Sequence, residues 1–416
     1  MRKLLVIFFL ITVSLNSFAQ REAENWYFGK NAGIKFTDTG SVSLTNGQLN
    51  TYAGNATISD KNGNLLFYTD GVTVYNKTHN VMDNGTKLYG HKFSSQSALI
   101  IPYPSNPNLY YIFTTDNYFN NHGVCYSIVD VSYNNGNGKI ISKNNQIFTN
   151  GVNKMNAIKH SNNEAIWLIT HKYQSKNYVA FLINKNGIDM NYIISTGNTK
   201  LDFYYDKFGY IKVSPDAKTI VHCIPSHKHL FEICNFNNTT GVINKCLTID
   251  IPNAQGFDRP YSAEFSPSGK YLYITCEGQN FIYQFNLSKK TKLAIENSIK
   301  IVGYNFLKYS LPLSLQLGID GKIYVSNVNT QIQGSYYLGV IEYPEKEDTS
   351  CNYIENYLYL NGRKAQAGLP VFIQSYFFIP EFTADNLCFG DTTVFGISDT
   401  SHIDSVLWCF GDSISI

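Results

Sequence analysis

One element recurs along this chain and limits what it can fold into: a polar turn followed by an alternating apolar strand. VSPDAKTIVHC (213–223), FSPSGKYLYIT (265–275) and LGIDGKIYVSN (317–327) place Ser214, Ser266 and Gly318 each 52 residues apart. SDKNGNLLFYTDG (59–71), PSNPNLYYIFT (104–114) and HSNNEAIWLIT (160–170) are looser copies. A short strand of small and apolar residues precedes each turn: YAGNATIS, SQSALIIP, MNAIKHS, YIKVS, YSAEFS and LSLQLG, with LPVFIQS (369–375) as a seventh. Two more strands follow most turns, so each unit holds about four antiparallel strands. Seven such units predict an all-β, seven-bladed β-propeller of the WD-repeat-like kind. LPVFIQS has no turn and strand set after it, whereas WYFGKNAGIKF (26–36) and SVSLT (41–45) lack an inner strand. One blade is therefore expected to combine both ends, a closure that leaves no long sheet edge exposed.

Composition agrees with a β-fold. Tyr (31) and Phe (27) are abundant and charged residues make up only 15%, which suits half-buried strands joined by tight turns. The first 19 residues, MRKLLVIFFLITVSLNSFA, have a basic start, an apolar stretch and small residues before Gln20. They read as a secretory signal peptide, so the mature chain is expected to be secreted or at the cell surface. The apolar stretch is about half the ~20 residues a spanning helix needs, and nothing later is longer. Without Arg2 and Lys3, 31 basic residues face 31 acidic ones. A neutral chain gives nucleic acid no electrostatic claim as a partner. Roughly 360 residues (20–380) over seven blades give about 51 per blade, longer than a compact ~40–45-residue repeat and with room for loops. After Pro380 the pattern changes, and residues 381–416 are expected to be the opening part of a second, Ig-like β-domain.

The segments NWYFGKNAGIKF (25–36), LTNGQLNTYAGNATISDKNGNLLFYTDGVTVYN (44–76), SSQSALIIPYP (94–104) and RPYSAEFSPSGKYLYI (259–274) resemble the N-terminal propeller of large secreted Bacteroidota proteins. The tail from Cys388 resembles the first half of a polycystic-kidney-disease (PKD) domain: Trp408, Phe410, Gly411 and Asp412 match its W-x-F-G-D-G core, and Ser413 replaces the last glycine. The resemblance implies export, often by the type IX secretion and gliding-associated route, and implies no catalytic residues. It supplies a fold, and function must come from the site.

Several segments carry candidate chemistry. SDKNGN (59–64) offers oxygen ligands and a glycine, as calcium loops and the Asp box of sialidase propellers do. An EF-hand loop would need a glutamate near position 71, where Gly71 stands, and Asp, Asn and Gly equally suit a plain turn. HCIPSHKH (222–229) gathers three histidines and a cysteine, but Pro225 and Ser226 mark a turn, which favours solvated histidines over a metal set. Cys223, Cys234 and Cys246 fall on three consecutive strands, where one disulfide or buried free thiols fit equally. Lys159, Lys212, Glu264 and Gln316 hold equivalent places on four inner strands, with Thr57 on a fifth, and are expected to face the central axis. There they either grip a small anion or pair with one another. Asp258 and Arg259, in GFDRPY (256–261), lie where a loop enters a blade, as binding groups or as a loop ion pair.

A retaining sialidase needs an arginine triad, but after the leader only Arg21, Arg259 and Arg363 remain. Nucleophile-elbow, HExxH and phosphate-loop signatures are missing from the sequence. No catalytic residue, metal or cofactor is assigned. The sequence favours a noncatalytic binding or adhesion module that presents loops to an extracellular protein or glycan, with the PKD domain as spacer. The alternative is a secreted carbohydrate-active or lactonase-like hydrolase or lyase on the same scaffold.

Overall fold

In the computed structural model, residues 21–116, 122–225, 229–251, 259–305, 310–329, 333–380, 382–385 and 394–397 are described. The leader, Asp258, His227 and the Trp408–Phe410–Gly411–Asp412 set of the tail lie outside them. No helix among the described residues is long and apolar enough to cross a membrane.

Seven antiparallel sheets follow one another along the chain. Blade 1 is Asn25–Phe28, Ala32–Thr37 and Gly40–Leu44; blade 2 is Ala56–Ser59, Leu65–Thr69 and Val74–Asn76. Blade 3 begins with Ala98–Pro102 and blade 4 with Gly151–Lys159. Blades 5, 6 and 7 begin with Ile211–Val213, Arg259–Phe265 and Ser310–Leu317. Blades 3, 5, 6 and 7 have four strands each and blade 4 has five, so the uniform four-strand expectation is relaxed at blades 1, 2 and 4.

Five of the six copies of the repeated turn share one geometry; in the copy at 104–114 Asn106 N–H donates to the Tyr103 carbonyl and Leu109 N–H to the Asn106 carbonyl. In each of five copies the fourth residue donates its N–H to the carbonyl of the first: Gly63 to Asp60, Asn163 to His160, Ala217 to Ser214, Gly269 to Ser266 and Gly321 to Gly318. That fourth residue is left-handed in all five, with φ from 58° to 82°. Glycine and asparagine adopt this conformation at low cost, which is why they dominate the position. In SDKNGN the Asp60 carboxylate accepts from the backbone N–H of Asn62 and Asn64 and from the Asn64 side chain. Its oxygens hold the turn.

The closing segment departs from the regular inner strand expected of LPVFIQS. It makes two isolated parallel bridges, Asn55 to Pro370 and Ala157 to Ile373, and then winds into a 3-10 turn, Gln374–Phe377. Pro370 has no N–H to extend a ladder. Leu369 N–H instead donates to Ser314 Oγ and Val371 N–H to the Asn55 carbonyl. Trp26, fully buried, clasps the two ends: its ring lies 5.1 Å from Phe36, 5.5 Å from Tyr324 and 5.8 Å from Phe372. Burying such a ring contributes about 2–3 kcal/mol.

Because strands alternate in direction, the first-to-second turns of blades 2 to 7 emerge on one face of the propeller, and their second-to-third and blade-to-blade loops on the other, here called the loop face. Blade 1 begins on a strand of the opposite sense, with Asn25 bonded to Ser59 and Gly63, so its turn at 29–31 lies on the loop face and its turn at Asp38 on the other. Beyond Pro380 the described residues form a two-stranded hairpin, Phe382–Asp385 with Val394–Ile397.

Candidate functional site

The axial candidates meet, but not around an open channel. Lys212 Nζ donates to Glu264 Oε2 at 2.6 Å and to Gln316 Oε1 at 2.7 Å, and Leu317 N–H adds a 2.9 Å bond to the same carboxylate oxygen. Lys212 and Glu264 side chains are 0% exposed. Burial pushes the Lys212 ammonium down and Glu264 pushes it back. Of the two alternatives, Lys212, Glu264 and Gln316 take mutual pairing, in a buried hydrogen-bonded knot linking blades 5, 6 and 7. Lys159 is outside it, half-buried at a strand end where its N–H meets Ser375 Oγ. Thr57 is buried against Tyr27.

Near the axis lie further residues of the inner-strand segments SQSALIIP, YIKVS and LPVFIQS that held no candidate role by sequence. Ser94–Ser97 are fully buried, and Gln96 Oε1 accepts from the N–H groups of Met155 and Ile211, tying blade 3 to blades 4 and 5. Tyr210 OH reaches Ser314 Oγ at 2.9 Å, across blade 6's place in the ring. The closing segment reaches three inner strands, through Asn55 with Pro370, Ala157 with Ile373 and Ser314 Oγ with Leu369 N–H.

A second buried network was not legible in the sequence. Lys154, 0% exposed, holds His222 Nε2 at 2.9 Å and the Cys223 carbonyl at 2.7 Å, with no salt-bridged carboxylate among the described residues. Tyr178 OH gives its proton to Glu232 Oε2 at 2.9 Å. At 3.3 Å, His222 Nδ1 is therefore the donor to Tyr178, and its Nε2 is the acceptor for Lys154. The Asn198 and Thr199 N–H groups close the far end on Glu232 Oε1. Burial lowers Lys154 to about 7, with Asp206 opposing. Burial, then Lys154, holds His222 well below the ordinary imidazole range, and His171 is lowered to about 3 by the same causes. His222 is thus a core residue, correcting the solvated-turn reading. Cys234 and Cys246 form a disulfide beside Glu232, while Cys223 is free and buried. Both sulfurs of the Glu232, Cys234 and Cys246 group are consumed by that bond, which leaves no thiolate to ligate a metal.

The exposed chemistry lies on the loop face. Arg259 sits opposite Glu277 across a strand pair, and its guanidinium lies 4.8 Å from the Tyr205 ring centre. Burial raises the Glu277 carboxyl and Arg259 lowers it. Burial, with Glu277 nearby, pushes the Tyr52 phenol up to about 12. Tyr52 in turn packs 5.5 Å from Phe93, and Lys92 Nζ lies 5.2 Å from that ring. Tyr205 and Phe93 are 45% and 48% exposed, large values for aromatic rings. Lys207 covers Tyr173 at 4.3 Å. Tyr89 stacks on His122 at 3.8 Å, and His122 Nδ1 bonds the buried Asp116 at 2.7 Å. Links between blades 1 and 2, 2 and 3, 4 and 5, and 5 and 6 thus supply aromatic rings and cations to the loop face. Of the described sequence candidates only Arg259 belongs to it; Tyr52, Phe93 and Tyr205 fall in loops without a motif.

On the opposite face a concavity of about 210 Å³ is lined by Arg21, Glu24, Lys35, Phe36, Asp38 and Asp320. Glu24 is committed there to Arg21 at 2.6 Å and Lys35 at 3.4 Å.

No protein-family model matches this chain, and neither does any curated protein. Solved structures do. A functionally unknown protein from Desulfotomaculum acetoxidans is 13% identical, with 84% of this chain and 98% of that one covered and a TM-score of 0.47. The Dos1 propeller is 12% identical over 80% and 74%, with a TM-score of 0.46. A putative 6-phosphogluconolactonase from Bacteroides uniformis is 13% identical over 68% and 76%, with a TM-score of 0.41. The chain is an all-β, seven-bladed β-propeller.

Proposed function

We propose that this chain is a noncatalytic extracellular binding module whose loop face contacts a glycan or protein, with the PKD-like tail as spacer. The observation that carries the reading is where the chemistry sits. The axial acid Glu264 is fully buried in an ion pair, while the loop face offers half-exposed aromatic rings. Aromatic side chains combine large contact area with few rotors to freeze, which suits recognition. The leader, the resemblance to secreted Bacteroidota propellers and the type IX route belong to the same proposal, and place the module at the cell surface or outside it.

A polysaccharide panel scored for both retention and cleavage tests the reading. Retention that Tyr52→Ala/Tyr205→Ala abolishes, with no cleavage product and an unchanged melting midpoint, is the expected result. Cleavage that Glu264→Gln abolishes while the variant still melts cooperatively overturns it in favour of a hydrolase or lyase.

A further inference from the structure

We infer that the ligand of the loop face is an acidic polysaccharide, one carrying uronate carboxylates or sulfate esters; this rests on the binding role just proposed. The first observation is charge. Lys92 and Lys172 are exposed on this face, Lys207 is half-buried there, and none of the three has a salt-bridge partner among the described residues. The described acids near them are committed: Asp202 to Lys200 at 2.8 Å, Glu277 beside Arg259, and Asp206 and Asp116 in the interior. In a chain balanced overall at 31 acids against 31 bases after its leader, the described residues of this surface are therefore locally cationic, and such a surface attracts anions over the screening length, about 8 Å at physiological salt.

The second observation is arrangement. Three cations sit over aromatic faces: Lys92 on Phe93, Lys207 on Tyr173 and Arg259 on Tyr205. Each pair presents an apolar ring beside a positive head, with the head steered by the ring's quadrupole. A pyranose ring bearing an anion matches that pairing, since its C–H face packs on the aromatic ring and its carboxylate or sulfate meets the ammonium. A neutral glycan would leave the cations unused. The pairs lie on loops from different blades, so a polymer touching several of them gains by multivalency where a monosaccharide would not.

Retention of the full chain on polygalacturonate, dextran sulfate, unsubstituted dextran and single-stranded poly-dT tests this. Binding to one or both acidic polysaccharides is expected, weakening about tenfold as salt rises from roughly 0.05 to 0.3 M. Lys92→Gln/Lys207→Gln should weaken it by about tenfold or more without moving the melting midpoint, and Lys92→Arg/Lys207→Arg should restore it. Preference between polygalacturonate and dextran sulfate identifies the anion. Equal, salt-insensitive binding to dextran overturns the acidic-ligand inference and leaves the binding role standing. Preference for poly-dT, or no retention on any acidic polysaccharide, also overturns it. Shortening of the bound polygalacturonate instead overturns the noncatalytic reading while the ligand class survives.

Discussion

Two lysines, Lys212 and Lys154, are both removed from water, yet their surroundings treat the charge in opposite ways. Lys212 has a carboxylate at 2.6 Å and an amide at 2.7 Å, so three blades share one neutral, hydrogen-bonded knot. Lys154 has an imidazole and a carbonyl, and the carboxylate of Glu232 is reached only through His222 and Tyr178. Burial lowers both ammonium groups; at Lys212 the contacting Glu264 carboxylate opposes the shift, whereas at Lys154 only Asp206 and the Cys223 thiol oppose it and the pKa falls to about 7. Inner strands can therefore carry the same residue type for different reasons, and neither lysine offers a ligand an accessible group.

The largest effect should come from breaking the pair on one side only. Glu264→Ala leaves Lys212 buried without its counter-ion, and a loss of about 3–5 kcal/mol is expected in denaturant unfolding. Lys154→Met removes a cation with no salt-bridged carboxylate among the described residues and should cost much less. A Lys154→Met loss equal to that of Glu264→Ala would erase the distinction between the two lysines.

The pH dependence sharpens the contrast. Lys154 falls from 10.5 unfolded to about 7 folded, so between those values the unfolded chain holds more protons and stability rises with pH. The contribution is fully present above 10.5 and is lost as pH falls towards 7, a span on the order of 5 kcal/mol. His171 acts likewise lower down, its share being complete above 6.5 and lost as pH falls towards about 3. Unfolding titrations should show the alkaline rise in the parent and a flatter curve in Lys154→Met. An unchanged slope in the variant would assign the rise to another group.

The Lys154 region has a covalent staple that the axis lacks. Removing the Cys234–Cys246 bond, with a separation of 12 residues, should cost about 2–3 kcal/mol by Cys234→Ala/Cys246→Ala. A loss confined to blade 5, seen as faster amide exchange at Leu230–Phe236, is the expected pattern.

The smallest effect concerns the turns. Gly269 lies at φ 73°, and an added Cβ would meet nothing closer than 3.7 Å. Gly269→Ala should therefore cost only the left-handed penalty, about 1 kcal/mol, in thermal unfolding. A much larger loss would mean that the turn is packed more tightly than its neighbours at Ser214 and Asp216 suggest.

These residues also separate what a sequence can and cannot display. The turn at Gly63, Gly269 and Gly321 was legible because its chemistry is local: each copy spans about six residues, and backbone conformation selects glycine. The placement of Lys212, Glu264 and Gln316 on one axis followed from the 52-residue period, since equivalent positions on inner strands must face the same way. Their burial did not follow, because it depends on Gln96, Tyr210 and the irregular course of 369–377, whose path Pro370 frees from the ladder. The Lys154 network was hidden for a different reason. Residues 154, 171, 178, 222 and 232 come from two blades and share no spacing, and only the register of His222 opposite Glu232 brings them together. The loop face was hidden likewise, with its rings in blade-to-blade links that follow no repeat.

The division between a structural axis and a functional loop face is tested most directly by emptying the axis of charge. Lys212→Met/Glu264→Leu removes both partners together, a change that often leaves stability near its starting value. If the axis serves only to hold the blades, the double variant will bind polygalacturonate with the parent's affinity and salt dependence. Lost or markedly weakened binding at an unchanged melting midpoint would place the site in the axis and contradict the division.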